Sequence, residues 1–79
     1  MAKPSYKEFR DIVYKKYMGR MKGFDQDEVK DYFNSDEAEQ EIRNAYKENS
    51  KLYNNGELSE EIFLGDAANS VAYCLEMMF

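Results

Sequence analysis

The stretch from Asp66 to Phe79 constrains the fold most strongly, because ten of its fourteen residues are apolar and only Asp66 and Glu76 carry charge. Apolar residues on one face of a helix recur at steps of three and four residues. Five positions follow that spacing: Leu64, Ala68, Val71, Leu75 and Met78. A helix that is apolar nearly all round is normally enclosed by protein. We therefore expect it to be the centre of a helical domain, with Cys74 as a small core residue.

The rest of the chain also predicts helices. Residues that cap helix N-termini precede three segments: Ser5, Asp25 and either Asn34 or Ser35. No stretch shows the apolar and polar alternation of a strand. The sequence predicts one all-α domain over residues 1–79, a compact bundle of three to four helices at about 5–22, 26–33, 36–54 and 59–78, with the C-terminal helix central.

Glycines mark the expected ends of these helices. Gly23 is expected to end the first helix in the left-handed conformation. Gly56, after two asparagines, predicts a stop and a turn. At Gly65 two outcomes stay open: the last helix either continues or breaks into 59–64 and 66–78, with Asp66 capping the second piece.

The composition argues against catalysis. The chain has no histidine, the commonest general base, and only one cysteine. One cysteine cannot form an internal disulfide or, without histidine, a zinc site. The glycines are too scattered to form a phosphate-binding loop. We expect a non-enzymatic protein with no catalytic, metal-binding or cofactor-binding residues.

Charge is distributed unevenly along the sequence. Residues 1–22 carry seven basic and two acidic side chains, whereas the whole chain has a net charge of −5. From Asp25 to Glu41 there are eight acids and one base, Lys30. Seven of these acids are the predicted partner-binding surface: Asp25, Asp27, Glu28, Asp31, Asp36, Glu37 and Glu41.

An acidic helical surface suits a basic partner. In charge and size the chain resembles small acidic inhibitors that phages and mobile elements encode, some anti-CRISPR proteins among them. That resemblance implies a protein-interaction module that imitates nucleic acid and blocks a basic nucleic-acid-binding protein. Solubility alone is the competing explanation of the acidic run.

The alternative function is direct nucleic-acid binding by the first helix. Its basic residues are interleaved with Tyr14 and Tyr17, a combination that can hold phosphates and stack bases. The basic residues concerned are Lys7, Lys15, Lys16, Arg20 and Lys22. They point in several directions on a helix, and the net negative charge of the chain repels phosphate, so we rank this second.

A second docking surface is expected on the last helix. Tyr73, Met77 and Phe79 lie beyond what one face of so small a domain can bury, and Met and Tyr are favoured at protein interfaces. They are expected to pack either under the second helix or against another chain, which includes a homodimer. We expect a cytoplasmic location, because there is one thiol, no apolar run behind the start of the sequence, and no segment long enough to span a bilayer.

Overall fold

The structure is a computed structural model that describes residues 3–79, and these residues form helices with no strand. The prediction of an all-α bundle is confirmed. The helices are α1 (Tyr6–Arg20), α2 (Gln26–Phe33), α3 (Asp36–Asn54), α4 (Glu60–Ile62) and α5 (Ala68–Met78), with a π-helical segment (Phe63–Ala67) joining α4 to α5. The last helix packs most extensively against α1 and also contacts α3, so it is central as predicted.

Local side-chain chemistry sets where the helices begin. The Ser5 hydroxyl accepts a hydrogen bond from the backbone N–H of Glu8 at 3.1 Å. Between Asn34 and Ser35, the residue that caps α3 is Ser35, whose hydroxyl accepts from the N–H of Ala38 at 3.3 Å. Each cap satisfies a donor that has no partner inside the helix.

The end of α1 differs from the prediction. Within residues 3–79 only Gly56 has a positive φ, so Gly23 does not end the helix in the left-handed conformation. The helix ends at Arg20, because the chain turns to bury Met21 completely. The side-chain amide of Gln26 donates to the carbonyl oxygens of Met21 and Phe24, both at 2.9 Å, which holds the turn without a left-handed residue.

The end of α3 is as predicted. Gly56 has φ +79°, a conformation that costs glycine little and other residues much. Its N–H donates to the carbonyl of Tyr53 at 3.1 Å, and the N–H of Glu57 donates to the carbonyl of Leu52 at 2.9 Å. This pair of bonds is the Schellman motif.

The last helix does not break at Gly65. Instead, one wider turn at Phe63–Ala67 takes up an extra residue. An extra residue rotates everything after it by about 100° relative to everything before it. As a result Phe63 and Ala68, five positions apart, are both fully buried, and Val71 and Leu75 follow on the buried side.

The prediction that Cys74 is a core residue is wrong, because only one side of α5 is buried. That side carries Ala68, Val71 and Leu75 of the predicted face, whereas Leu64 is half-buried and Met78 is exposed. The prediction that α5 is enclosed nearly all round is also wrong, because its outward side faces solvent.

The core lies where α1, α3 and the last helix cross. Phe9, Tyr46 and Phe63 meet there, with ring centroids 5.4 Å apart for Phe9 and Phe63 and 5.6 Å apart for Tyr46 and Phe63. Such ring pairs contribute about 0.5–1.5 kcal/mol beyond burial of their area. The buried apolar residues are Phe9, Val13, Tyr17, Met21, Val29, Phe33, Ala38, Ile42, Phe63, Ala68, Val71, Ala72 and Leu75.

Glu39 connects α1 to α3, although its spacing of four residues to Arg43 is by itself typical of an exposed ion pair on one helix. Its carboxylate accepts from the Tyr6 hydroxyl at 2.9 Å and from Arg10 Nε at 3.2 Å, and it lies 2.9 Å from Arg43 Nε. Partial burial raises the pKa of Glu39, but the hydrogen bonds from Tyr6 and Arg10 and the two arginine charges outweigh it. The net pKa is lowered, so ionised Glu39 stabilises the fold.

The first prediction concerns the buried side of α5. Leu75→Ala removes a fully buried side chain and should lower the free energy of unfolding by about 2–5 kcal/mol, measured by urea titration. Leu52→Ala is the matched control, because Leu52 is 40% exposed and should cost less than about 1 kcal/mol. Equal losses at both positions would contradict the placement of Leu75 in the core.

The second prediction concerns Glu39 and pH. A lowered carboxyl pKa gives stability that is fully present above the ordinary value of 4.5 and is lost as the pH falls through the folded-state pKa. Glu39→Gln should therefore reduce the unfolding free energy by about 1 kcal/mol at neutral pH. The difference from the original protein should shrink in acid.

Glu37→Gln is the control for that measurement, since Glu37 is exposed and makes no ion pair within residues 3–79. Its pH profile should follow that of the original protein. If the difference in unfolding free energy between Glu39→Gln and the original protein stays constant down to the lowest measurable pH, ionised Glu39 is not the stabilising species.

Candidate interaction surfaces

Four of the predicted partner-binding acids lie at α2. The Asp25 carboxylate caps the helix by accepting from the N–H groups of Asp27 at 2.9 Å and Glu28 at 3.2 Å. The side chains of Asp27, Glu28 and Asp31 are exposed. Asp27 and Asp31 are four residues apart and so share one face of the helix.

The other three acids lie on the first turns of α3. Asp36 and Glu37 are exposed and Glu41 is half-buried. The two helices are joined by a tight turn, in which the Ser35 hydroxyl donates to the carbonyl of Tyr32 at 2.6 Å. Carboxylates at both helix N-termini are favoured by the helix dipoles, so the negative charge is compatible with a stable fold.

None of these seven acids forms an ion pair within residues 3–79. The ion pairs there join Arg10 and Arg43 to Glu39, and Arg20 to Glu76. Glu39, the eighth acid of the run, is thus used in the fold. We call the remaining seven the acidic surface: Asp25, Asp27, Glu28, Asp31, Asp36, Glu37 and Glu41.

Tyr32 shows that the α2 and α3 parts of the acidic surface adjoin. It lies on α2, and burial raises its pKa, with the negative charges of Glu37 and Glu41 on α3 raising it further. Its hydroxyl oxygen is buried and makes no hydrogen bond within the described chain. The carboxylates of α3 therefore act directly on a side chain of α2.

The predicted apolar patch is divided by the structure. Tyr73, Met77 and Phe79 are 48%, 68% and 41% exposed. At about 100° per residue, Met77 and Phe79 point about 160° apart around the helix. Phe79 lies on the α2 side, whereas Tyr73 and Met77 lie on the outward face of α5.

Phe79 joins two other rings, which together we call the aromatic cluster: Phe24, Tyr32 and Phe79. The Phe79 centroid lies 5.5 Å from that of Phe24 and 5.6 Å from that of Tyr32, and both planes are nearly perpendicular to the Phe79 ring. Phe24 is 52% exposed. Phe24 is not among the predicted site residues, although its position directly before the α2 cap places it beside the acidic surface.

Tyr73 has a partner on α1. The Arg20 guanidinium lies 5.0 Å from the centre of the Tyr73 ring, and its Nε donates to Glu76 at 2.9 Å. Met77, one turn further on, is the most exposed large apolar side chain within residues 3–79. The outward face of α5 therefore carries two exposed apolar side chains beside the ion pair of Arg20 and Glu76.

The tyrosines of α1 face inward. Tyr17 is fully buried and its hydroxyl donates to the carbonyl of Val29 at 3.3 Å. Tyr14 is half-buried, with its ring centroid 4.9 Å from that of Phe33. The Arg20 guanidinium forms an ion pair with Glu76. The interleaved tyrosines therefore do not form an exposed stacking surface along α1.

The remaining surface features are modest. A groove of about 530 Å³, open to solvent, is lined by Glu60, Glu61, Leu64 and Gly65. Within residues 3–79 no group of three His, Cys, Asp or Glu side chains is placed to hold a metal ion. None of the described helices is both long and apolar enough to cross a membrane.

No family model matches the chain, and neither the curated proteins nor the solved structures contain a match to it.

Proposed function

We propose that the protein is a non-enzymatic binding module whose acidic surface docks on a basic surface of a partner protein. The observation that carries the proposal is the exposure of these carboxylates on two adjoining helices, with no ion pair to neutralise them within residues 3–79. Charges of one sign, held together, attract an oppositely charged partner and speed its association.

The helices that carry the acidic surface hold it in a defined shape. Asp25 caps α2 and Ser35 caps α3, and the turn between them is closed by the hydrogen bond from Ser35 to Tyr32. A pre-ordered surface loses little conformational entropy on binding. This rigidity supports a surface that binds over one that only keeps the protein in solution.

In the sharpest form of the proposal, the partner is a nucleic-acid-handling protein and this chain is its inhibitor. The carboxylates would occupy a basic channel in place of phosphates, as in inhibitors of the phage and mobile-element type. We also propose a cytosolic location, since Cys74 is exposed and is the chain's only cysteine. An exposed free thiol suits a reducing compartment.

The third prediction tests the acidic surface with a short oligolysine peptide as the basic probe. Reversing four of its charges should weaken binding at least about tenfold, which corresponds to 1.4 kcal/mol, because the attraction is removed. Circular dichroism should show unchanged helicity, as the side chains are exposed or half-buried. The substitutions are Asp27→Lys, Asp31→Lys, Glu37→Lys and Glu41→Lys.

A control with the same change in net charge separates location from total charge. It reverses four exposed acids elsewhere: Asp11→Lys, Glu48→Lys, Glu57→Lys and Asp66→Lys. This variant should lose clearly less affinity. Equal losses in both variants would mean that the peptide senses only net charge and that the acidic surface is not the site.

A duplex DNA titration addresses the alternative function. Binding at low salt that falls steeply as salt is raised would identify α1 as a phosphate-binding element and would make the nucleic-acid mimic wrong.

Self-association through the outward face of α5 is a second candidate, favoured by the exposure of Tyr73 and Met77 on one face. The fourth prediction is that light scattering shows a mass that rises with concentration. Met77→Lys should abolish that rise, because a buried lysine charge is costly in a dimer interface. Leu52→Lys is the control, and a strictly monomeric original protein would remove this candidate.

A further inference from the structure

The three arginines of this chain share one environment. Each guanidinium lies over an aromatic ring: Arg10 over Phe33 at 4.7 Å, Arg20 over Tyr73 at 5.0 Å and Arg43 over Tyr6 at 4.8 Å. Each also pairs with a carboxylate, Glu39 for Arg10 and Arg43 and Glu76 for Arg20. Ring and carboxylate together suit the guanidinium, which is planar, weakly hydrated and always charged.

The aromatic cluster offers the same two components without a cation from the described chain. Phe24 and Phe79 are 52% and 41% exposed. Asp25 follows Phe24 directly in the chain. Glu37 and Glu41 of the acidic surface lie close enough to Tyr32 for their negative charges to raise its pKa further than burial alone. No lysine or arginine of residues 3–79 lies over Phe24, Tyr32 or Phe79.

We propose that the aromatic cluster, at the edge of the acidic surface, binds an arginine side chain of the partner protein. This inference rests on the proposed function and adds to it the side chain that is recognised. The guanidinium would stack on the exposed faces of Phe24 and Phe79, and its stem would cover their apolar edges. The neighbouring carboxylates supply the opposite charge.

Arginine fits this site better than the other groups that a basic partner could present. Lysine carries a compact, strongly hydrated charge, which is costly to bring against an aromatic face. A purely apolar side chain would cover the rings but would leave the adjacent carboxylates without a cation. The charge around the cluster therefore selects a cation, and the rings select one that is planar.

The fifth prediction compares oligoarginine with oligolysine peptides of equal length and charge in binding titrations. The original protein should bind oligoarginine about three- to tenfold more tightly, the range of one or two cation–π contacts. Replacing both exposed rings in the Phe24→Leu, Phe79→Leu variant should remove this preference while leaving the affinity for oligolysine unchanged. Phe24→Leu alone should reduce the preference for oligoarginine, and this single variant replaces the double variant if the latter unfolds.

Tyr73→Leu is the matched control, because it removes an exposed ring that lies away from the aromatic cluster. It should keep the preference for arginine.

Equal binding of both peptides by the original protein, with both weakened by charge reversal on the acidic surface, would overturn the arginine site and leave the proposed function standing. Binding of neither peptide would overturn both. A dimer that the Phe24→Leu, Phe79→Leu variant abolishes would assign the cluster to a second copy of the chain and overturn the arginine site.

Discussion

The five-residue step from Phe63 to Ala68 is the constraint on which the rest of the structure depends. Phe63 packs against Phe9 of α1 and Tyr46 of α3, and Ala68 begins the buried side of α5. An uninterrupted α-helix cannot point both residues inward, because five positions turn it by about 500°, which leaves about 140° between them. The π-helical turn removes most of that difference. It also decides which side chains of α5 face outward, so the exposed apolar face is a consequence of how the core is closed.

The acids of this chain differ in which cations lie opposite them. Glu39 meets two arginines and a tyrosine, and its lowered pKa reflects that environment. Glu76 meets Arg20. The acidic surface faces no such cations, because all three arginines are already held by Glu39 and Glu76. Two of the sixteen acids thus hold the three arginines, seven lie on α2 and the first turns of α3, and the remaining seven are spread over the rest of the chain.

Features that depend on neighbouring residues could be predicted from the sequence, and those that depend on distant contacts could not. The Ser5 and Asp25 caps act over three residues, and their roles follow from residue type and spacing. Cys74 was misplaced because apolar composition alone does not show which sides of a helix are covered, and here only the side of Ala68, Val71 and Leu75 is buried. Glu39 looked like a surface residue because its contacts with Tyr6 and Arg10 span 33 and 29 positions of sequence. The division of the apolar patch has the same cause, since Phe79 meets rings far away in the chain.

Exposed apolar side chains are expected in a domain of 79 residues, which buries only about 60% of its unfolded surface. Their distribution carries more information than their number, since single exposed residues are ordinary and clustered ones mark binding sites. Phe24 illustrates the difference. The turn it occupies is held by Gln26 and by burial of Met21, and its ring stays half exposed although it packs against Phe79. Its ring and that of Phe79 are clustered in this sense, because their centroids lie 5.5 Å apart while the two residues stay 52% and 41% exposed beside Asp25.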